Sequence, residues 1–349
     1  MMLPLPSASS SADALDLLRR VAGRTTRFDF SVWFWGDAIA IDGLLDASEL
    51  LGDRHLEAFC LRFFERWQRA APAWTDYLTP GPALLLLHQR TGRKDLLEGA
   101  MRLARWYEEE VPRGPEGVHY YRPDIPQFRT MVIIDSLYHV VPFFALLGHI
   151  TGEQRYYDEA FDTWQSHIGF LASDRGPLLC HNYDVATGRH RGYGWGRGNG
   201  WALFALLELL ERSPRSHPKW EAAHREFKVL SSEIRGLQDA TGFWRTLLHD
   251  REAYLESSTA AFYGAIFARA MRLGLLDGSY REPASAAWAA ALSRIDDSGG
   301  FFGVSGVTWA ASAQTEELAL YKSMPTEINA WGQGAALRLI AERLRGDQP

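Results

Sequence analysis

Cysteine is scarce. Cys60 and Cys180 are the only two in 349 residues, too few for a disulfide framework or a cysteine-bound zinc site. No apolar run reaches the ~18 residues of a membrane-spanning helix. The opening segment MMLPLPSASSSADALDLLRR has neither a basic n-region nor a long apolar core, so it reads as no secretory signal and the expected location is the cytoplasm. Charge of one sign is also missing. Lys and Arg number 37 against 43 Asp and Glu, a net −6 spread without blocks. That excludes a basic nucleic-acid footprint and a polybasic membrane patch. HExxH, the GK[ST] phosphate loop and the GxSxG elbow are absent. Aromatic residues are abundant instead: 13 Trp, 13 Tyr and 18 Phe, more than a core requires.

Strand signals are weak, and apolar residues recur at helical spacing, as in Ala14-Leu15-Leu17-Leu18-Val21. Stacking the segments shows a repeat. Residues 43–67, 83–107 and 143–168 each read as an apolar helix, a turn containing Gly52, Gly92 or Gly152, and an amphipathic helix. Looser copies span 202–230 and 265–292, and a last apolar helix, 334–344, has no downstream partner. It can pair with an N-terminal helix at about 12–23. The first helix of each copy is nearly all apolar, as an inner ring demands; the second is amphipathic, as an outer ring demands. An open solenoid would need polar caps, which 334–344 cannot supply. The expected fold is therefore all-α: six helical hairpins closed into an (α/α)6 barrel. It forms one domain over 1–349, with 1–11 as a disordered tail.

Between hairpins run long connections rich in Trp, Gly, Asp, His and Arg: 27–38, 72–82, 120–135, 176–201, 240–258 and 296–331. Loops of this length in a compact domain are usually functional, and a toroid gathers all six at one end. The run Gly192-Tyr193-Gly194-Trp195-Gly196-Arg197-Gly198-Asn199-Gly200-Trp201 fails GxGxxG in every register, because Arg197, Asn199, Trp201 or Leu203 falls where the last glycine belongs, and no strand is expected before it. Its glycines let backbone approach a ligand. Arg197 offers a fork for a carboxylate, and the faces of Trp195 and Trp201 suit sugar rings. The plain alternative is a tight loop with Arg197 in a salt bridge. Asp135 stands in the apolar stretch Met131-Val132-Ile133-Ile134-Asp135-Ser136-Leu137. Burial there should raise its pKa, as a proton donor needs; the alternative is a helix cap or a pair with Arg129. Asp76 opens the preceding inner helix as a second carboxylate or a simple cap, and Asp37 competes for that role. His181 lies among polar neighbours before the glycine-rich run.

These blocks resemble the unsaturated rhamnogalacturonyl hydrolases and their relatives, the unsaturated glucuronyl hydrolases. The resemblance rests on MVIIDSLYHVVPF (131–143), CHNYD (180–184), WGRGNGW (195–201), GFWRTLLHD with YLESS (242–258) and INAWGQGA (328–335). It implies a single (α/α)6 barrel, Asp135 as catalytic acid and base, and His181, Arg197 and Trp201 around the substrate. We add Asp76 as the second catalytic candidate, with Asp37 as its rival. Trp33, Trp35, Trp195 and Met131 are further candidate substrate contacts.

The implied chemistry is hydration of the C4=C5 bond in a terminal unsaturated uronic acid, with a rhamnogalacturonan or pectin fragment as source and an unsaturated disaccharide as substrate. The resemblance implies no metal and no redox cofactor. Two rival readings remain at this level. A sugar 2-epimerase on the same toroid wants two histidines facing one carbon, whereas the histidines here fall mostly on outer amphipathic helices. A non-catalytic glycan-binding toroid would keep the tryptophans and have no use for Asp135.

Overall fold

Glycine placement explains the hairpins. A computed structural model describes residues 11–30, 35–69, 81–308 and 318–346. Within them, Gly52, Gly92 and Gly152 take φ of +62°, +70° and +74°. These are left-handed conformations that end a helix at little cost to glycine. Gly52 thus separates α2 (Asp37–Leu51) from α3 (Arg54–Trp67), Gly92 separates α4 (Gly81–Thr91) from α5 (Lys94–Glu109), and Gly152 separates α6 (Ser136–Thr151) from α7 (Gln154–Leu171). Two hairpins follow, α8 (Gly196–Arg212) with α9 (Trp220–Gly236) and α10 (Ser257–Arg272) with α11 (Arg281–Leu292). The sixth pairs α13 (Ala330–Gly346) with α1 (Ser11–Thr25), and a short α12 (Leu318–Ser323) lies in the last connection.

Neighbouring helices close the ring. α2, α4, α6, α8, α10 and α13 each pack on the next, and α13 packs on α2. The seam between α2 and α13 is tight because glycine permits it. A Cβ on Gly334 would stand 2.5 Å from the backbone nitrogen of Ala40, and one on Gly43 would stand 2.7 Å from Leu337. Apart from the half-buried α4, the inner helices are buried along most of their length, as in Ser136 to Gly148 of α6. The one-sided outer helices keep their charges in water, in accord with the repeat reading. No helix of the described residues is long and apolar enough to cross a membrane.

At the carboxyl ends of the inner helices, a cavity of about 350 Å³ is lined by ionic side chains. Arg90, Arg212, Arg272 and Arg345 sit in the last turns of α4, α8, α10 and α13, where cations offset the negative helix ends. Deeper in, Arg338 reaches Glu208 at 2.7 Å and Asp46 at 3.3 Å, and Arg269 pairs with Glu208 and Glu211. Asp42 accepts a hydrogen bond from Tyr138 at 2.8 Å, and burial pushes its carboxyl up to about 7.

The opposite end adds short strands to the all-α barrel. Here short strands stitch the connections together: β1 (Met131–Ile133), β2 (Asn182–Asp184), β3 (Arg189–Arg191), β4 (Trp244–Arg245), β5 (Leu255–Glu256), β6 (Val304–Ser305) and β7 (Thr326–Glu327). All pairings are antiparallel, and β1-β2-β3 forms one sheet with Ile133 opposite Asn182 and Asn182 opposite Arg191. Strands of two or three residues are too short to show a two-residue period. The histidine placement is also corrected. His55, His167 and His224 lie on outer helices, but His88, His139 and His149 lie on inner ones and the others in connections.

Candidate active site

The amino ends of the inner helices and the connections above them frame a small hollow. Trp35, Tyr121, Phe128, Ile133, Asp135, His181, Val307 and Thr308 line it. These residues come from four separate connections, joined by β1-β2 pairing, by the Trp195–Leu247 bridge and by the bond from Ser257 N to Gly303 O.

Asp135 directly precedes α6 but does not cap it, since its side chain accepts no bond from the first turn. Its Oδ2 is buried without a hydrogen bond and lies 3.6 Å from Nε2 of His181. Burial raises the carboxyl to about 7, against the opposing pull of Arg197 and a backbone hydrogen bond. The acid is therefore available in its protonated form near neutrality. His181 is neutral over the same range, because burial first and Arg197 second depress the imidazole to about 3. Its Nδ1 lies 2.6 Å from the Tyr321 hydroxyl, and its ring packs on Trp195 with centroids 4.0 Å apart.

Arg197 is 1% exposed, and its fork is occupied. Nη1 donates to Ser305 O at 2.8 Å and Nη2 to Gly306 O at 2.9 Å, while Nε has no partner among the described residues. The guanidinium lies 5.0 to 5.8 Å from the ring centroids of Trp35, Trp195 and Trp331. Trp331 Nε1 also donates to Ser305 O, at 3.2 Å. The Ser305 backbone N–H in turn donates to buried Glu256, at 2.8 Å. Glu256 also accepts from Ser258 and Thr259 at the start of α10. Arg197 thus sits inside a ring of tryptophans, bonded to the backbone of the loop that carries Val307 and Thr308.

The sequence-derived candidates separate accordingly. Asp135, His181 and Trp35 face the hollow together. Trp195, Trp201 and Met131 are buried behind it, where Trp201 meets Trp35 edge-on at 6.0 Å and Met131 packs with Phe128 and Ile133. The rings of Trp195 and Trp201 pack mostly on other aromatic rings. The glycines of 192–200 also serve a different purpose from the expected ligand approach. A Cβ on Gly198 would stand 2.4 Å from Trp195, and one on Gly194 2.6 Å from His249; they bring protein against protein. Asp37 begins α2 and lines a second hollow with Asp29, Glu327 and Trp331. Trp35 and Trp331, one from each hollow, stack at 5.1 Å. Asp76 and Trp33 lie outside the described residues.

Tyr121, Phe128, Val307 and Thr308, which line the hollow, and Tyr321, which meets His181 from outside its lining, carried no local signal in sequence. Only their membership in the long connections pointed to them. Among the described residues, no group of three or more His, Cys, Asp or Glu side chains is placed to hold a metal ion.

The model of Glycosyl Hydrolase Family 88 matches residues 19–346. The unsaturated rhamnogalacturonyl hydrolase YesR of Bacillus subtilis is 27% identical over 335 residues, 94% of each chain. A crystal structure of a possible member of the GH105 family from Klebsiella pneumoniae superimposes with a TM-score of 0.87 at 20% identity, covering 99% of this chain and 98% of that one. The unsaturated glucuronyl hydrolase of Bacillus sp. GL1 does so with a TM-score of 0.69 at 14% identity, covering 94% of each. These two structures bear on the fold, and they share the architecture reached from the hairpin repeat. With the family model spanning all six hairpins and the loops above them, the chain belongs to Glycosyl Hydrolase Family 88.

Proposed function

We propose that this glycosidase removes a 4,5-unsaturated uronic acid from the non-reducing end of lyase-generated oligosaccharides, with unsaturated rhamnogalacturonan disaccharides as its preferred substrate. One observation carries the reading: a buried carboxyl, raised to about 7, in an aromatic-walled hollow beside a neutral imidazole. The substrate class follows the name of the B. subtilis relative, which aligns over 94% of the chain. An anionic sugar also suits the electrostatics. Asp135 and Arg197 sit at the amino ends of α6 and α8, where helix dipoles and the buried guanidinium favour negative charge.

Protonated Asp135 gives its proton to C4. The C4=C5 electron pair forms the new C4–H bond and leaves an oxocarbenium ion across C5 and the ring oxygen. The Asp135 carboxylate then takes a proton from water as its oxygen bonds to C5. The resulting hemiketal opens by breaking the bond from C5 to the ring oxygen, which gains a proton and becomes a hydroxyl on C1. Collapse of that C1 hemiacetal releases the remaining saccharide and leaves an α-keto acid. No nucleophile attacks C1, so carboxylate spacing predicts neither retention nor inversion. A positioned acid of this kind contributes roughly 10²–10⁴-fold. Asp135, His181 and Trp35 contact the sugar in this reading, while Arg197, Trp195, Trp201 and Met131 hold them in place.

The test is incubation with unsaturated disaccharides from rhamnogalacturonan, pectin and glycosaminoglycan lyases, following loss of double-bond absorbance. The expected result is loss with all or some, fastest with the rhamnogalacturonan product. No loss with any of them overturns the reading. An epimerase would need a second histidine opposite His181, and among the described residues His181 is the one histidine lining the hollow.

A further inference from the structure

The hydrogen bond on the far side of His181 has no role in the steps above. The histidine is held from several directions. Its backbone carbonyl accepts from Ile134 N at 2.9 Å, and its own N–H donates to Gly192 O at 3.1 Å. Trp195 covers one ring face. The Tyr321 hydroxyl, 140 residues away in the chain, lies 2.6 Å from Nδ1. Tyr321 belongs to α12, which Lys322 fastens to Asp250 at 2.8 Å and to Glu252 at 3.0 Å.

Gly192 shows how closely the fold accommodates this contact. Its φ is +64°, and a Cβ there would stand 2.1 Å from the Tyr321 hydroxyl oxygen and 2.7 Å from Cβ of His181. Any side chain at 192 would occupy the space through which the hydroxyl reaches the imidazole.

We propose that Tyr321 is a positioning residue for the hydration reaction: its hydroxyl donates to Nδ1 of His181, fixes the ring hydrogen on Nε2 and aims it at Oδ2 of Asp135. The proposal rests on Asp135 being the acid. Nε2 and Oδ2 are 3.6 Å apart here, and catalytic hydrogen bonds commonly tighten once substrate is bound. With Nε2–H facing Oδ2, the acidic proton is left to Oδ1. When that proton goes to C4, a neutral N–H donor meets the new carboxylate charge. Without the hydroxyl, the other tautomer becomes accessible and turns a nitrogen lone pair toward that charge.

The surrounding groups leave Asp135 as the one that titrates near neutrality. Arg197 faces both Asp135 and His181, and Glu256 acts on Arg197 from the start of α10. Cys180 and Arg191 act on the Tyr321 hydroxyl. Burial raises the Cys180 thiol and the Tyr321 hydroxyl and depresses His181 to about 3.

Tyr321→Phe in the full chain keeps the ring and removes the hydroxyl. In substrate-free protein with ¹⁵N-labelled histidine, the wild-type His181 signal should show hydrogen on Nε2 and none on Nδ1, and the variant should show mixed tautomers. The ¹³C titration midpoint of Asp135 should rise by about half a pH unit to one in the variant. With substrate, kcat should fall about tenfold, the scale of one lost hydrogen bond, with KM little changed. The basic limb of the kcat/KM profile should move upward with the Asp135 midpoint. A wild-type ring hydrogen on Nδ1 overturns the proposal. So does a variant whose Asp135 midpoint is unmoved, whatever its stability. Inactivity of the wild type on every unsaturated disaccharide would instead remove the functional reading, while the two substrate-free measurements would still decide the role of Tyr321.

Discussion

Replacing Asp135 by asparagine should make the protein more stable at alkaline pH while disabling it. An ordinary aspartate ionises at about 3.9; Asp135 in the fold does so at about 7, chiefly because burial disfavours the charge. Below about pH 4, folded and unfolded chains both hold the proton, and the carboxyl contributes no pH dependence. Between about 4 and 7 the folded state keeps a proton that the unfolded state has released, so stability falls as pH rises. Above about 7 both states are ionised, and the full penalty of a buried charge is present. At about 1.4 kcal/mol for each tenfold difference in proton affinity, that penalty is on the order of 4 kcal/mol. Asparagine has nearly the same shape and does not ionise. The difference in unfolding free energy between Asp135→Asn and wild type should therefore grow across that window and then level off. With unfolding entropy near 2.1 cal/mol/K per residue, a chain of 349 residues converts the penalty into a Tm gain on the order of 5 °C. The assay is thermal and urea unfolding of both proteins from pH 4 to 8.5. Every other titrating group is common to both and cancels in the difference. A stability difference that stays flat over this range would show that Asp135 ionises in the fold as it does in water, and the argument for a neutral acid would fail.

The same variant should lose on the order of a thousandfold in kcat, since an amide delivers no proton to C4. In the wild type, kcat/KM should fall about tenfold per pH unit once pH exceeds about 7, because the active form carries the Asp135 proton; a rate flat into alkaline pH would contradict the assignment. Arg197→Lys loses the fork that binds the carbonyls of Ser305 and Gly306, and urea unfolding should show a loss of about 2 kcal/mol. Its ratio of kcat/KM for the uronate over the methyl ester should stay as in wild type, and a reduced ratio would mean that Arg197 also grips the uronate. At the other end of the barrel, Arg338→Met takes one cation from Asp46 and Glu208, which keep Arg345 and Arg269, and should cost about 1.5–3 kcal/mol, where the loss of a surface pair would cost less than about 1.

How far the sequence could be read depended on the distance over which each contact is made. The hairpins were legible because their causes are local. A helical period, a glycine at the turn and an apolar first helix all lie within about 25 residues, and ring closure followed because two lone helices remained to pair. The burial of Asp135 and its raised pKa were legible for the same reason, since its apolar neighbours adjoin it in the chain. The strands were not legible, because two or three residues carry no periodicity and their pairing joins distant connections. Arg197 shows the limit most directly. Its residue type announced a planar fork, and the neighbouring tryptophans announced stacking; both features are present. What the fork holds, however, is Ser305, 108 residues further on, and no local pattern specifies that partner. The glycines of 192–200 follow the same rule. Close approach was a sound inference from alternating glycine, but what approaches is decided by tertiary packing, and it is Trp195, His249 and Tyr321. Local pattern therefore identified which residues are unusual, while the division between those that meet the hollow and those that brace it came from contacts made across a hundred residues or more.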